Sequence, residues 1–171
     1  MSSESEGEYL AKLAAHVQGN DPLSLQRTAP ATLARLIDGV PEDRLGHRPS
    51  PERWSVRAII AHMAEDELVS SWRYRQMIEA DGAALAGFDQ DKWAQLGDYD
   101  SWSTRDAHEM FRLLREANLR MLDRLTPEEW QRHGIHAERG LITIADLARH
   151  MAGHDANHIE QIRRLLDSTD A

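Results

Sequence analysis

The 171-residue chain is long enough for one domain with its own hydrophobic core, and without any cysteine it has no disulfide, thiolate metal site or cysteine nucleophile. The formal net charge of −9 argues against a protein that binds nucleic acid through its phosphates. Because no apolar run is long enough to span a bilayer and the acidic N-terminus lacks signal-peptide features, we expect a cytoplasmic protein without a membrane partner.

The N-terminal part of the chain predicts one short and one longer helix. Residues 1–20 are interpreted as a tail with a short helix over Glu8–Gln18. The first of four main helices covers Leu23–Ile37, and Pro30 within it predicts either a kink or a restart. We expect residues 21–171 to form a single four-helix-bundle domain.

The middle of the chain predicts two long helices separated by a long connection. The second main helix begins after Ser55, a suitable N-cap, and ends near Ala80. Residues 81–101 contain three glycines, and a connection of this length is typical of a crossover in a bundle or of a functional loop. The third main helix begins after Ser103 and ends near Leu125.

The C-terminal part predicts a short helix and the last main helix. The run Thr126–Glu129 has the residues of a helix N-terminus, and Gly134 and Gly140 bracket a loop. The last main helix begins after Thr143 and ends near Asp167. Because no segment alternates apolar and polar residues over a useful length, we predict no strands. The sequence therefore predicts an all-α four-helix bundle with a long crossover between main helices 2 and 3.

Histidines at core positions indicate metal chemistry. His154 and His158 lie one turn apart on the apolar stripe of the last main helix, so both face the bundle interior. Two imidazoles at this spacing can bind one ion. His62 is a third candidate on the apolar face of the second main helix, with Asp66 one turn later and Glu67 on the other flank of the stripe. A histidine and a carboxylate on such a face are costly to bury unless they are paired or metal-bound.

The same spacing also has a structural interpretation, in which these histidines are hydrogen-bonded core residues without a metal. Spacing alone leaves both interpretations open. His108 and Glu109 begin a zinc-protease motif that fails at Arg112. His133 and His136 flank a loop, and we predict both at the surface.

Three spaced motifs resemble the DinB/YfiT-like superfamily. In chain order they are Arg48-Pro49-x-Pro51-x-x-Trp54-Ser55, Ala61-His62-Met63 and Gly153-His154-Asp155-x-x-His158-Ile159-x-Gln161-Ile162. The resemblance extends over residues 23–166. It implies a four-helix bundle of unusual connectivity, a homodimer, and a divalent metal held by His62, His154 and His158. Members often carry an arginine in the apolar stripe of the third main helix, where we place Asn118.

The resemblance also implies a class of chemistry on a small-molecule substrate. Members include thiol S-transferases that use bacillithiol or mycothiol and a mycothiol-dependent maleylpyruvate isomerase. We therefore expect a metal-dependent hydrolase or thiol S-transferase with Zn²⁺, or alternatively Ni²⁺, Fe²⁺ or Mn²⁺, and a low-molecular-weight thiol as cosubstrate. Asp66 or Glu67 would act as general base or orient a ligand histidine. The alternative is a non-catalytic metal-binding or dimeric, stress-related interaction module.

Overall fold

Helices form most of the structure, a computed structural model that describes residues 5–168. In chain order the helices are α1 (Glu6–Val17), α2 (Pro22–Ile37), α3 (Glu42–Leu45), α4 (Val56–Glu79), α5 (Gln90–Leu96), α6 (Thr104–Leu122), α7 (Pro127–Trp130) and α8 (Ile144–Asp167). The strands are β1 (Ala83–Leu85), β2 (His133–His136) and β3 (Gly140–Thr143), and a 3-10 turn lies at Tyr99–Ser101. None of the helices within residues 5–168 has both the length and the apolar character that a membrane crossing requires.

The four long helices α2, α4, α6 and α8 form the bundle. Both α2 and α4 pack against α6 and α8, and the segment between α4 and α6 crosses over the bundle and contains β1 and α5. Two groups of buried side chains fill the interior along its length. One includes Leu33, Ile59 and Phe111, and the other includes Met77 and Met151. The predicted four-helix bundle with a long crossover is therefore confirmed.

Side-chain caps define where the long helices begin. The Ser55 side chain accepts a hydrogen bond from the backbone N–H of Ala58 at the start of α4. Ser103 caps α6 in the same way. Thr143 and Asp146 form a reciprocal capping box at the start of α8. Each cap satisfies backbone N–H groups that the first helical turn leaves without a partner, and the predicted caps are confirmed.

A small sheet lies where we predicted no strands, so that prediction was wrong. β2 pairs in parallel with β1 and antiparallel with β3, and Gly134 lies opposite both Ala83 and Ile142. The strands have three or four residues, which is too short for an alternating pattern to be recognised. Gly134 also allows the close approach of β1, because a Cβ there would lie 2.6 Å from the Leu85 side chain.

The N-terminal helix α1 packs against α8. Its Leu13 and Val17 side chains are buried. The approach requires glycine at position 153, because a Cβ there would lie only 2.4 Å from the carbonyl oxygen of Leu13. The predicted division into a tail of residues 1–20 and a domain of residues 21–171 stays a prediction, and residues 1–4 and 169–171 lie outside the described residues.

Candidate metal centre

His62, His154 and His158 bring their Nε2 atoms together inside the bundle. His62 projects from α4, and the other two histidines project from adjacent turns of α8. The Nε2 atom of His154 lies 3.0 Å from that of His62 and 3.1 Å from that of His158. The three residues are 2%, 4% and 8% exposed in chain order. The structure thus brings together all three histidines that were predicted as metal ligands.

The spacing of these nitrogen atoms fits a single metal ion. Two imidazole nitrogens that each lie about 2.0–2.1 Å from one ion are about 2.9–3.4 Å apart at bond angles between about 90° and 110°. The 3.0 and 3.1 Å separations fall in this range. Three histidine ligands also leave positions for water or substrate, which is the pattern of catalytic rather than closed structural sites.

Hydrogen bonding among the three rings cannot satisfy all of their nitrogens. A neutral imidazole carries one hydrogen, so each Nε2 is either a donor or an acceptor with one in-plane lone pair. Nε2 of His154 contacts both of the other Nε2 atoms but can form only one well-formed hydrogen bond, so at least one of the three nitrogens has no partner. A buried polar atom in that state costs about 1–3 kcal/mol. One cation that receives all three lone pairs removes this cost, so the donor set fits a divalent metal.

The surroundings keep the three rings neutral. Burial lowers the pKa of His62 and of His154 well below the ordinary value, and it lowers the pKa of His158 to about 4. The Nδ1 atom of His158 lies 3.0 Å from the amide oxygen of Gln161. Because that oxygen is an acceptor, the ring hydrogen belongs on Nδ1 and the lone pair on Nε2. The Trp54 ring packs 4.9 Å from the His62 ring, centroid to centroid.

Asp66 lies beside the histidine cluster. Its Oδ2 atom is 3.6 Å from Nδ1 of His154, which is beyond hydrogen-bond length. Burial raises the pKa of Asp66 to about 7, an effect that Arg73 partly opposes. Asp66 therefore faces Nδ1 of His154, which is the ring nitrogen that points away from a metal bound at Nε2. The carboxyl group of Asp66 can exchange a proton near neutral pH.

Glu67 is part of a buried ion-pair network instead. Nη2 of Arg115 donates to Oε2 of Glu67 at 2.7 Å, and Nη1 of Arg115 donates to Oδ2 of Asp155 at 2.5 Å. Asn118 donates its side-chain N–H to Oε1 of Glu67 at 2.7 Å. These four residues are all buried. The network joins α4, α6 and α8 directly behind the residues of the metal centre.

Arg115 was not predicted as a buried residue. The polar position of the third main helix was assigned to Asn118, whereas both residues are buried and lie three positions apart on one face of α6. Arginine is seldom fully buried, so a sequence pattern treats it as a surface residue. The spacing from Phe111 to Arg115 and from Arg115 to Asn118 follows the helical period. This spacing is the sequence signal that could have indicated a buried Arg115.

The prediction that His136 lies at the surface was wrong. It is 5% exposed because β2 turns its side chain inward. Its Nδ1 atom accepts hydrogen bonds from the backbone N–H groups of Glu138 and Arg139, and its Nε2 atom lies 3.1 Å from Nη2 of Arg73. His133 is partly exposed and pairs with an aspartate.

Comparisons with known proteins identify the family to which this helical bundle with its three-histidine cluster belongs. Residues 25–162 match the sequence profile of the DinB superfamily, so the chain belongs to this family. A relative is YfiT of Bacillus subtilis (strain 168), named as a proposed metal-dependent hydrolase. It is 23% identical over 164 residues, covering 93% of this chain and 90% of the relative.

Two further similarities agree with this membership. A protein of Oceanobacillus iheyensis, also named as a proposed metal-dependent hydrolase, is 22% identical over 139 residues, covering 80% of this chain and 78% of the relative. The solved structure of YfiT, described as having an unusual four-helix bundle topology, superposes with a TM-score of 0.79 at 19% identity. That superposition covers 96% of this chain and 89% of the YfiT chain, and it supports the fold.

The buried Arg115 network makes a first testable prediction. We expect Arg115→Gln to lower the free energy of unfolding by about 3–5 kcal/mol, because it leaves two buried carboxylates without their cation. The measurement is urea denaturation of metal-free protein. Arg112→Gln is the matched control on the same helix, since Arg112 is 40% exposed and its ion pairs are at the surface.

We expect the control to unfold at nearly the same urea concentration as the wild type. Equal unfolding midpoints for Arg115→Gln and Arg112→Gln would contradict the role assigned to the network.

Proposed function

We propose that the chain is a divalent-metal-dependent hydrolase that acts on a small-molecule substrate and holds its metal through His62, His154 and His158. One observation carries the proposal: three buried, neutral imidazoles converge through Nε2 atoms that are 3.0 and 3.1 Å apart. The naming of two relatives as proposed metal-dependent hydrolases supports the type of reaction.

The metal centre combines the chemistry of an ion with that of neighbouring side chains. A divalent ion supplies Lewis-acid chemistry when bound, including a lowered pKa for bound water. His158 is held by Gln161 in the tautomer that directs its Nε2 lone pair inward. Asp66 can hold His154 in the corresponding tautomer, because its carboxylate is the group that faces Nδ1 of that ring.

The two candidate catalytic carboxylates differ in their surroundings. Asp66 has a pKa of about 7 because it is buried, so it can also take up a proton as a general base. Both oxygens of Glu67 accept hydrogen bonds, from Arg115 and Asn118. These contacts favour a role for Glu67 in holding α4 against α6, and its role as a general base stays a prediction.

Finer features of the proposal rest on the family resemblance. Imidazole ligands suit several ions, so Zn²⁺ is the first choice and Ni²⁺, Fe²⁺ and Mn²⁺ are the alternatives. A thiol S-transferase reaction would need a low-molecular-weight thiol as cosubstrate, because the chain has no cysteine. The homodimer is likewise a prediction.

Removing any one of the three histidines should abolish stable metal binding. We expect wild-type protein to retain about one divalent ion per chain after reconstitution and dialysis, and His62→Ala, His154→Ala and His158→Ala each to retain a small fraction of that. The measurement is elemental analysis after loading with Zn²⁺ or Ni²⁺. His47→Ala is the control, since His47 is exposed. Full metal content in the three core variants would show that the ligand assignment is wrong.

Replacing Asp66 tests its catalytic role. We expect Asp66→Asn to remain folded and to lose about 10- to 100-fold in metal affinity or in the rate of hydrolysis, since it removes the charge beside a ligand histidine. The measurements are Zn²⁺ affinity and kcat on a panel of carboxylic esters, thioesters and amides. Glu79→Gln is the control, because Glu79 is an exposed carboxylate on the same helix.

The two measurements separate the roles of Asp66. A loss of metal affinity indicates that the carboxylate orients His154, and a loss confined to kcat indicates a general base. Unchanged values of both would contradict either role. Metal-loaded wild type that hydrolyses none of the panel would favour the non-catalytic metal-binding or interaction module.

A further inference from the structure

The three ligand histidines differ in what contacts their Nδ1 atoms. An imidazole that binds a metal through Nε2 carries its hydrogen on Nδ1, and an acceptor there normally fixes the orientation of the ring. Gln161 supplies this acceptor to His158, with 3.0 Å between its amide oxygen and Nδ1. Asp66 lies 3.6 Å from Nδ1 of His154, slightly beyond hydrogen-bond length. His62 has a different kind of neighbour.

Nδ1 of His62 is buried and forms no hydrogen bond within residues 5–168. The His62 ring also takes no part in the histidine–carboxylate pairs of the described chain, which involve His16, His133 and His154. No acceptor on the described part of the chain therefore sets the orientation of the His62 ring through Nδ1.

An aromatic side chain packs against His62 instead. The centroids of the Trp54 and His62 rings are 4.9 Å apart, and the two rings are tilted by 50°. The rings of His154 and His158 also contact His62, so Trp54 is a neighbour from outside the ligand set. Because protein interiors are closely packed, an indole ring in contact with an imidazole restricts the rotation of that imidazole. Packing can thus do for His62 what hydrogen bonding does for His158.

The crossover holds Trp54 in place. The Tyr99 ring, which is 2% exposed, meets the Trp54 ring edge to face with centroids 6.2 Å apart. The Tyr99 hydroxyl group donates to Oε2 of Glu65 at 2.5 Å, and Glu65 follows His62 by about one turn of α4. Trp54 therefore contacts both His62 and the end of the crossover, which is itself hydrogen-bonded to α4.

The position of Trp54 also allows a purely structural role. Trp54 precedes Ser55, the N-cap of α4, and it packs against the group of buried side chains that includes Ile59. A structural role alone predicts that substitution lowers the stability of the fold and leaves the His62 ring in one orientation. An orienting role predicts that the ring loses its fixed orientation while the fold is kept.

We infer that Trp54 is a positioning residue of the metal centre, which orients the His62 ring by packing in place of a hydrogen bond at Nδ1. The inference rests on the proposed function in that His62 acts as a metal ligand. Tyr99 and Glu65 keep Trp54 against His62. Substitution of Trp54 should therefore weaken metal binding through its effect on the His62 ring.

The first measurement is NMR spectroscopy of the histidine rings in metal-free protein. Wild-type protein should show one sharp set of His62 ring signals with nuclear Overhauser contacts to the Trp54 indole. We expect Trp54→Leu to broaden or double these signals, because the ring gains a second orientation, and Trp54→Phe to keep them sharp. His62→Ala identifies the signals by their loss. Trp72→Leu is the matched control, since Trp72 is 64% exposed on α4.

The second measurement is the affinity for Zn²⁺, together with the visible absorption spectrum of Co²⁺-loaded protein, which reports the ligand geometry. Trp54→Leu should bind Zn²⁺ about tenfold or more weakly, as is typical when a group that orients a ligand histidine is lost. Its Co²⁺ spectrum should differ from that of the wild type. Trp54→Phe should restore most of the affinity, and Trp72→Leu should match the wild type in both properties.

Far-UV circular dichroism and urea denaturation show which variants are folded. Trp54→Met is the second variant if Trp54→Leu does not fold, because an unbranched methionine side chain fills irregular space in a core. We expect the same broadening of the His62 signals and the same loss of Zn²⁺ affinity from Trp54→Met.

The outcomes separate this inference from the proposed function. Sharp His62 ring signals in folded Trp54→Leu, or Zn²⁺ binding by that variant as tight as by the wild type, would each overturn the role of Trp54. A lower urea midpoint with unchanged His62 signals would assign Trp54 to the stability of the fold alone. His62 signals that depend on Trp54 in a protein that takes up no Zn²⁺ would support the orienting contact and contradict the proposed metal-dependent function.

Discussion

One buried cation, Arg115, holds together the helices that carry the metal centre. It pairs with Glu67 on α4 and with Asp155 on α8, which directly follow Asp66 and His154 in the sequence. Since unpaired buried charges are strongly unfavourable, α4 and α8 can pack well only when both carboxylates face Arg115. This constraint fixes the rotation and register of the two helices, and the convergence of the three histidine Nε2 atoms follows from it.

The interior of the bundle therefore contains two kinds of polar group. The charges of the Arg115 network pair with one another, and the network positions α4, α6 and α8. The three histidines converge through Nε2 atoms that other residues of the described chain do not satisfy. Buried polar groups are normally paired, so this second kind marks where a metal would stabilise the protein.

Local signals explain why much of the fold could be predicted from the sequence. The caps at Ser55 and Thr143 depend on residues three positions away, and the spacing of His154 and His158 depends on one helical turn. The ion-pair partners of Arg115 could not be predicted in this way, because they come from helices that are distant in sequence. The inward turn of His136 was missed for a related reason, since β2 is defined by its pairing with β1 and β3.

X-ray absorption spectroscopy of the Zn²⁺-reconstituted protein tests the central claim most directly, because it identifies the atoms bound to the ion. Three buried imidazoles that converge through Nε2 predict scattering from three imidazole rings, with nitrogen atoms about 2.0–2.1 Å from the ion. A spectrum that is dominated by oxygen ligands and lacks imidazole scattering would contradict the account.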